Sequence, residues 1–415
     1  MTAVATRGDC STRSGSAARR ALARWLPPSE DARWHYLSYF LPLLELRVPV
    51  SVLRGPAGQS GRLATMLVAG AESETGYLPE RFFNAIPQRE LLARAPVWQL
   101  PKLLARLEPA ADLVVARVDR HFAARFAPAD YLAVPDWVSS RLALPVDVAL
   151  LARGSRSVAE DLRRMRRYPT VVEVSHDEAD FAHFYHGVYV PYIRSRFGSA
   201  AYVRSILALR RAFARGGILW LRRNGARVAG DLFERHGDTL NLLALGIASG
   251  DLGLRREGLL SRLYVALMTH GAREGCRHLN LGGSRPSLRD GVLRYKAKWG
   301  AILDVPREPL YWWLVRWKRL DGAVAEFLSR TPLIFRDGNA LSGLAFCANG
   351  APEAGAAPED LRRLWIGGLR RLCVVTHTVT RPPACLPAVR VIDHDAVREG
   401  GPRALYRALA ATEEP

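Results

Sequence analysis

Lysine is scarce in this 415-residue chain, and arginine supplies most of its positive charge. The four lysines are Lys102, Lys296, Lys298 and Lys318. The formal net charge is +19 at pH 7. Because the arginines are scattered along the chain, a solvated surface explains this charge better than a polyanion-binding face does. Two of the four lysines fall in the stretch 281–301, which is therefore the first candidate for a functional site.

Cysteine is also scarce and lacks a metal-binding spacing. The five cysteines are Cys10, Cys276, Cys347, Cys373 and Cys385. Their odd number and the lack of a CxxC pair argue against a disulfide framework and against a zinc ribbon. Two histidines, His377 and His394, stand near the last two cysteines, but their spacing matches no known ligand pattern, so we expect no bound metal. We expect a reducing compartment, the cytoplasm.

The sequence contains no uninterrupted apolar run long enough to span a membrane. Its most apolar stretch, 34–53, includes two prolines, a glutamate and an arginine, which a span of about 20 residues would not accommodate. The segment 311–320 mixes aromatic and basic residues. We interpret it as a helix packed on the protein, with peripheral membrane contact as the alternative.

The composition is that of a globular protein with more than one domain. Hydrophobic residues make up 49% of the chain, and its length is enough for two or three domains with sizeable cores. Strand and helix patterns alternate, which predicts an α/β fold. We expect a disordered tail over 1–28, a first domain over 29–150, a second over 151–330, a linker over 349–360 and a small C-terminal α/β segment over 361–415.

The second of these domains has the clearest pattern of elements. Three consecutive strands are predicted over 218–222, 227–234 and 239–245, and the Asn-Gly pair at 224–225 predicts a hairpin turn between the first two. A helix over 258–272 carries leucines on one side. A strand over 278–281, a loop and a last strand near 301–305 complete the unit.

This order, together with the ending Gly-Gly-Ser…Asp-Gly…Tyr-Lys-Ala-Lys-Trp-Gly over 282–300, resembles the GNAT acyltransferase superfamily. It resembles most the branch with paired acyltransferase domains, which includes Fem-type aminoacyl transferases and acyl-CoA-dependent relatives of envelope polysaccharide synthesis. The resemblance implies that the first domain is a diverged GNAT-like twin of the second. It also implies an N-acyltransferase acting on an amine of a polysaccharide or peptidoglycan-type precursor.

The resemblance places the donor, acyl-CoA, at the start of the helix near Gly258. Arg255, Arg256, Gly258 and Leu245 would hold it, because the free N–H groups of a helix start favour a pyrophosphate. Leu260 stands where the superfamily pattern has glycine or alanine. The donor therefore stays open: an aminoacyl-tRNA is the alternative, which the positive charge would suit. A non-catalytic binding protein on the same fold is a second alternative.

The chemistry of acyl transfer assigns further roles. An amine attacks a carbonyl, and the developing oxyanion needs a cationic or N–H donor, the role that the resemblance implies for Lys296. Tyr295 would line the pocket and protonate the leaving group. Asp231 and Glu234 are the candidate general bases, although the Fem-type branch can work without one. The predicted substrate-binding residues are Tyr189, Tyr192, Arg196, Ser284, Asp290 and Trp299. Asp290 fits a turn residue equally well.

Overall fold

The computed structural model describes residues 47–58, 61–123, 126, 129–198, 201–304, 310–347, 358–377 and 388–411. Three β-sheets with helices packed against their faces make up these residues, which confirms the predicted α/β class. The predicted tail over 1–28 and most of the predicted linker over 349–360 lie outside the described ranges.

The strands divide into a first sheet of six, a second of seven and a third of four. In chain order they are β1 (Arg47–Ala57), β2 (Arg62–Ala69), β3 (Gln88–Pro96), β4 (Leu113–Asp119), β5 (Leu132–Pro135), β6 (Val138–Ala143), β7 (Val171–Ser175), β8 (Gly216–Arg223), β9 (Ala226–His236), β10 (Thr239–Ile247), β11 (His278–Ser284), β12 (Ile302–Asp304), β13 (Tyr311–Trp317), β14 (Leu333–Asp337), β15 (Ala340–Cys347), β16 (Leu369–Thr376) and β17 (Val389–Asp393).

Helices connect these strands and cover the sheets. In chain order they are α1 (Glu72–Thr75), α2 (Pro79–Phe82), α3 (Leu100–Leu107), α4 (Arg120–Ala123), α5 (Val148–Gly154), α6 (Arg156–Arg167), α7 (Glu178–His183), α8 (Val190–Phe197), α9 (Ile206–Phe213), α10 (Leu252–Arg256), α11 (Leu259–Arg273), α12 (Gly291–Ala297), α13 (Gly322–Arg330), α14 (Pro358–Leu364), α15 (His394–Val397) and α16 (Gly401–Ala411). A π-helical segment, Phe184–Tyr189, joins α7 to α8. Within the described ranges, no helix is long and apolar enough to cross a membrane.

The first two sheets exchange one strand each. The first sheet has the order β3-β1-β2-β4-β13-β5 and the second has β12-β6-β11-β10-β9-β8-β7. Strand β13, which follows the second sheet in sequence, thus pairs between β4 and β5 of the first. Strand β6, which falls inside the range predicted for the first domain, pairs between β11 and β12 of the second. The division into domains remains a proposal, because each half takes a strand from beyond its predicted boundary.

The prediction of a helix over 311–320 is wrong, since Tyr311–Trp317 forms β13. Trp312, Trp313, Leu314 and Val315 are all buried. A short apolar run that is buried on both faces lacks the period-2 alternation of a half-exposed strand, so its pattern resembles that of a buried helix. Because these side chains are buried within the protein, they do not form the surface that peripheral membrane contact, the alternative, would need.

The second sheet follows the predicted element order closely. Strands β8, β9 and β10 form an antiparallel meander, and the first turn places Asn224 and Gly225 at positive φ, 48° and 80°, as an Asn-Gly hairpin requires. After α11 the chain enters β11, parallel to β10. The segment predicted as a loop before the last strand contains α12, which carries Tyr295 and Lys296.

Strands β10 and β11 part soon after they begin to pair. Their ladder joins Thr239–Asn241 to His278–Asn280, and both strands continue beyond it. The side-chain amides of Asn241 and Asn280, the last residues of the ladder, hydrogen-bond to each other at 2.9 Å. A register shift between Asn280 and Gly283 also interrupts the pairing of β11 with β6. We call the opening between the ends of β10 and β11 the splay.

Helices pack on both faces of the second sheet. Helices α6 and α11 cover one face, through an apolar cluster that includes Val158, Leu263 and Leu219. Helices α7 and α9 cover the other, through a cluster that includes Phe181 and Phe213. The third sheet, ordered β14-β15-β16-β17, shares a separate core with the first sheet.

Candidate functional site

Lys296 lies at the splay and is 2% exposed. Its Nζ donates to the carbonyl oxygens of Gly282 at 2.8 Å and of Gly283 at 2.9 Å. Gly282 lies within the register shift that interrupts the pairing of β11 with β6, and Gly283 is the residue at which that pairing resumes. Both lie beyond the ladder that pairs β11 with β10. Buried carbonyls need a donor, and the lysine supplies one. It is therefore not a surface lysine at the end of a strand.

Burial lowers the pKa of Lys296 to about 7, a shift that the charge of Asp290 partly opposes. A neutral amine has two N–H groups, and each of the two carbonyl contacts uses one of them. The protonated amine has a third N–H, which is available to an incoming group. The lysine can therefore gain or lose this third donor near neutral pH.

Tyr295, the neighbour of Lys296, belongs to a buried polar chain. The Ser261 hydroxyl donates to Asp161 Oδ2 at 2.7 Å and lies 2.8 Å from the Tyr295 hydroxyl. Because the single Ser261 proton goes to a carboxylate, the Tyr295 hydroxyl must be the donor in the second contact. Lys298 closes the chain through an ion pair with Asp161. In this arrangement the Tyr295 proton points to Ser261.

Asp231 lies on β9, is 1% exposed and faces the same side of the sheet as α11. The backbone N–H of Ala244 donates to its carboxyl group, at a register shift in β10 between Leu242 and Ala244. Its Oδ1 has no hydrogen-bond partner among the described residues. Burial raises the pKa of Asp231 well above its ordinary value, against the opposing charge of Arg204. A buried acid with a spare oxygen can exchange a proton with a ligand.

Tyr264 lies between the polar chain of Tyr295 and the carboxyl group of Asp231. Its ring packs edge-on against that of Tyr295, with centroids 5.2 Å apart. Burial raises the pKa of Tyr264, and the charges of Tyr295 and Asp231 raise it further. Asp231 and Lys296 are both enclosed by side chains, so a substrate reaches them only if covering groups move.

The second candidate base, Glu234, does not join Asp231. It lies three residues further along β9, and side-chain alternation places it on the opposite face of the sheet. Its carboxylate pairs with Arg215 at 2.9 Å and lies 3.6 Å from the His236 ring. These contacts explain Glu234 as a surface ion pair.

The predicted donor site lies at the start of α11. Gly258 caps the helix at φ 87°, a left-handed conformation that glycine adopts without strain, and an added Cβ would lie 3.2 Å from the Arg164 Cβ. Leu260 is buried in the core beneath the helix. Arg256 is exposed, the side chain of Arg255 lies outside the described parts, and Leu245 pairs with Asp231 across the β9–β10 ladder.

Three predicted substrate-binding residues lie on the segment that packs beside β10. Tyr189, in the π-helical segment, accepts a hydrogen bond from the Arg204 backbone N–H at 3.0 Å. Tyr192 is buried and accepts one from Arg196 Nη1, also at 3.0 Å. Tyr189 therefore anchors the backbone of Arg204, the cation whose charge acts on Asp231.

The other three predicted substrate-binding residues lie on either side of Lys296 in sequence. Ser284 is buried, and its hydroxyl has no partner within the described part of the chain. Asp290 accepts from the backbone N–H groups of Val292 and Leu293, which makes it the N-cap of α12 and favours the turn role. Trp299 is fully buried and belongs to the apolar cluster that packs α6 and α11 on the second sheet.

Sequence reasoning missed Asp161, Ser261, Tyr264 and Arg204. Asp161 shares α6 with five arginines, which draw attention away from it, and Ser261 interrupts a leucine-rich helix face. A polar residue on such a face is the signal that could have identified Ser261. Its partner Asp161 is 100 residues away in sequence, which local patterns do not reveal.

No protein-family model matches the sequence, and no curated protein matches it. Among solved structures, the chain is similar to FemX, at 12% identity and a TM-score of 0.34, over 66% of this chain and 90% of that one. It is similar to L-PGS from Bacillus licheniformis at 13% identity and a TM-score of 0.28, over 63% and 82%. It is also similar to a GCN5-related N-acetyltransferase from Sphaerobacter thermophilus at 12% identity and a TM-score of 0.30, over 62% and 76%.

FemX and the GCN5-related N-acetyltransferase belong by name to the two groups that the sequence resembles. At these identities and TM-scores the likeness is distant, so the roles proposed below rest on the residues of this chain.

Proposed function

We propose that this protein is an N-acyltransferase that moves an acyl group from acyl-CoA to an amine of an envelope polysaccharide or peptidoglycan-type precursor. The observation that carries the proposal is the splay, in which Lys296 holds the carbonyls of Gly282 and Gly283 and keeps a third N–H in its protonated form. Such a fixed donor stabilises an oxyanion without reorganising during the reaction.

The proposed reaction forms an N–C bond and breaks a C–S bond. The acceptor amine attacks the thioester carbonyl, and the negative charge that develops on the carbonyl oxygen faces Lys296 Nζ. The spare oxygen of Asp231 takes the proton that the attacking amine loses. Its raised pKa suits this role, because a general base works best when its pKa lies close to the working pH.

The leaving thiolate takes a proton from Tyr295. The hydroxyl must turn from Ser261 towards the thiolate to do so, and Ser261 can then pass its own proton to the phenolate. Asp161 and Lys298 stand next in the chain and can restore the proton to Ser261. These three residues are therefore positioning and proton-relay groups.

An aminoacyl-tRNA is the alternative donor. Basic residues fill the last turn of α6, namely Arg164, Arg166 and Arg167, and Arg164 contacts the position of Gly258 at the start of α11. A cationic surface beside a helix start suits the phosphates of either donor. The tRNA alternative would use a larger part of this surface.

The test incubates the purified protein with acetyl-CoA and longer acyl-CoA thioesters, and with amino sugars or stem peptides that carry a free amine. Amine-dependent release of free thiol, together with the mass gain of an acylated amine, supports the proposal. Stabilisation by CoA without transfer to any amine in the panel indicates the non-catalytic binding protein. Retention of aminoacyl-tRNA with no response to CoA indicates the tRNA-dependent enzyme, and both outcomes overturn the acyl-CoA assignment.

A further inference from the structure

The edge of the third sheet brings together two histidines that the proposed acyl transfer does not use. Strands β16 and β17 are parallel, and their last paired residues are Thr376 and Asp393. His377 directly follows the first and His394 directly follows the second. Because parallel strands end at the same edge, the two rings meet there, with centroids 3.8 Å apart.

A carboxylate completes the group. One ligand atom each from His377, His394 and Asp395 lies within 4.8 Å of the other two. Phe346 packs against both rings, at centroid distances of 6.2 Å and 5.5 Å. The three ligand atoms are therefore gathered by the fold on an aromatic support.

The tautomer of His394 is fixed by its backbone contact. His394 Nε2 lies 2.7 Å from the carbonyl oxygen of Leu320, which can only accept, so Nε2 carries the hydrogen. In the neutral ring the lone pair is then on Nδ1, which faces Asp395 Oδ1 at 3.3 Å. Two acceptors that face each other need a proton or a cation between them. A metal-bound histidine commonly donates its other N–H to a backbone carbonyl in this way.

The three side chains open onto a hollow of about 460 Å³. Asp321, Glu326 and Arg398 line the same hollow. The Asp321 carboxylate pairs with Arg319 at 2.9 Å. His394 is buried, whereas His377 and Asp395 are exposed. An ion bound by all three would have one side open to the hollow.

We propose that His377, His394 and Asp395 form a binding site for a divalent cation of the zinc class. Two imidazole nitrogens and one carboxylate oxygen are a ligand set that zinc accepts, and three protein ligands leave a fourth position for water or a small ligand. The site opposes our expectation from sequence that no metal is bound. That expectation grouped the histidines with cysteines, but Cys373 is buried in the core shared with the first sheet, and Cys385 lies outside the described residues.

The test uses the untagged full-length protein, freed of metal and dialysed against a limiting concentration of Zn²⁺. We expect one equivalent of zinc to bind. His377→Ala and Asp395→Asn are the test variants because both side chains are exposed and their loss does not threaten folding. Each should weaken zinc affinity by about tenfold or more, since even the loss of a group that only supports a ligand costs about 10–100-fold.

His236→Ala is the matched control, because His236 also lies beside a carboxylate, that of Glu234, at 3.6 Å. This variant should bind zinc with the same affinity as the unchanged protein. Co²⁺ provides the second readout: the unchanged protein should give the visible absorption of tetrahedral cobalt, and His377→Ala should lose it. Binding below one equivalent overturns the proposal. Equal zinc affinity in the two test variants and the unchanged protein also overturns it, because the metal then binds elsewhere.

Discussion

The first and second sheets share a layout but differ where two parallel strands meet. In the first sheet the ladder between β2 and β4 joins Met66–Ala69 to Leu113–Ala116 and so reaches the last residue of β2. In the second sheet the equivalent ladder between β10 and β11 stops at Asn241, and the strands part. The first sheet is closed at this place, whereas the second is open.

The buried carboxylates near the closed and the open ladder also differ, in how many of their oxygens have hydrogen-bond partners. In the first half, Asp136 accepts from Arg117 at 3.1 Å, from Arg285 at 3.0 Å and from the Trp313 indole at 2.9 Å. In the second half, Asp231 keeps one oxygen without a partner among the described residues. Satisfied polar groups hold a structure together, whereas unsatisfied ones are available to a ligand. The buried carboxylate of the first half is thus fully paired, whereas that of the second half keeps an oxygen available to the proposed chemistry.

Replacing the candidate base should have the largest effect. Asp231→Asn removes the proton acceptor and retains the side-chain volume, so kcat for amine acylation should fall by about 10²–10⁴-fold. Glu234→Gln should retain kcat, since Glu234 lies on the opposite face. Steady-state kinetics under saturating donor checks both variants. Equal losses in the two would place the base elsewhere.

Replacing the lysine of the splay should come next. Lys296→Ala should lower kcat by about 10²–10³-fold, the usual effect of losing one oxyanion donor. Lys102→Ala, in the first half and exposed, is the control and should be unchanged. Because burial sets the Lys296 pKa at about 7, and the protonated form is the proposed oxyanion donor, kcat should fall as pH rises above that value. Lys296→Arg should lose this decline, and its persistence would assign it to another group.

Breaking the Asp136 network should destabilise the protein without acting on the chemistry directly. Asp136→Ala removes the carboxylate that Arg117, Arg285 and the Trp313 indole share in a mostly buried place, and the free energy of unfolding should fall by about 3 kcal/mol. Urea denaturation measures the loss. The matched control is Asp238→Ala, whose carboxylate pairs with Arg277 on the surface and should matter little. A loss in Asp136→Ala no greater than in the control would contradict the structural role of this network.

The last expected effect is a change of stability with pH. The pKa of Lys296 falls from its ordinary 10.5 to about 7 on folding, so between these values the unfolded chain binds more protons than the folded protein. Stability should then rise with pH across this window. Lys296→Met removes the titrating group. The free energy of unfolding of the unchanged protein, minus that of the variant, should therefore increase between pH 7 and pH 10. A constant difference would mean that Lys296 keeps its ordinary pKa.

Local patterns predicted the second sheet well, because the Asn224-Gly225 turn and the apolar runs beside it specify neighbouring strands. They failed for β13, whose partner residues, such as Val118 opposite Trp312, are distant in sequence. The scarcity of lysine indicated Lys296 as a candidate. Its burial could not be predicted, because Arg294 and Lys298 beside it in sequence are typical of an exposed segment. Pairing between Asp161 and Ser261 could not be predicted, since it depends on how α6 and α11 pack.

The strand exchange has a consequence for the order of events during synthesis. The first sheet cannot close until Tyr311–Trp317 is made, although its other strands leave the ribosome much earlier. The growing chain therefore carries open strand edges while the second half is translated, at roughly 5–20 residues per second. Contacts of such long sequence separation also slow folding. The nascent first half is thus the part of this protein most exposed to mispairing, and completion of the second half ends that exposure.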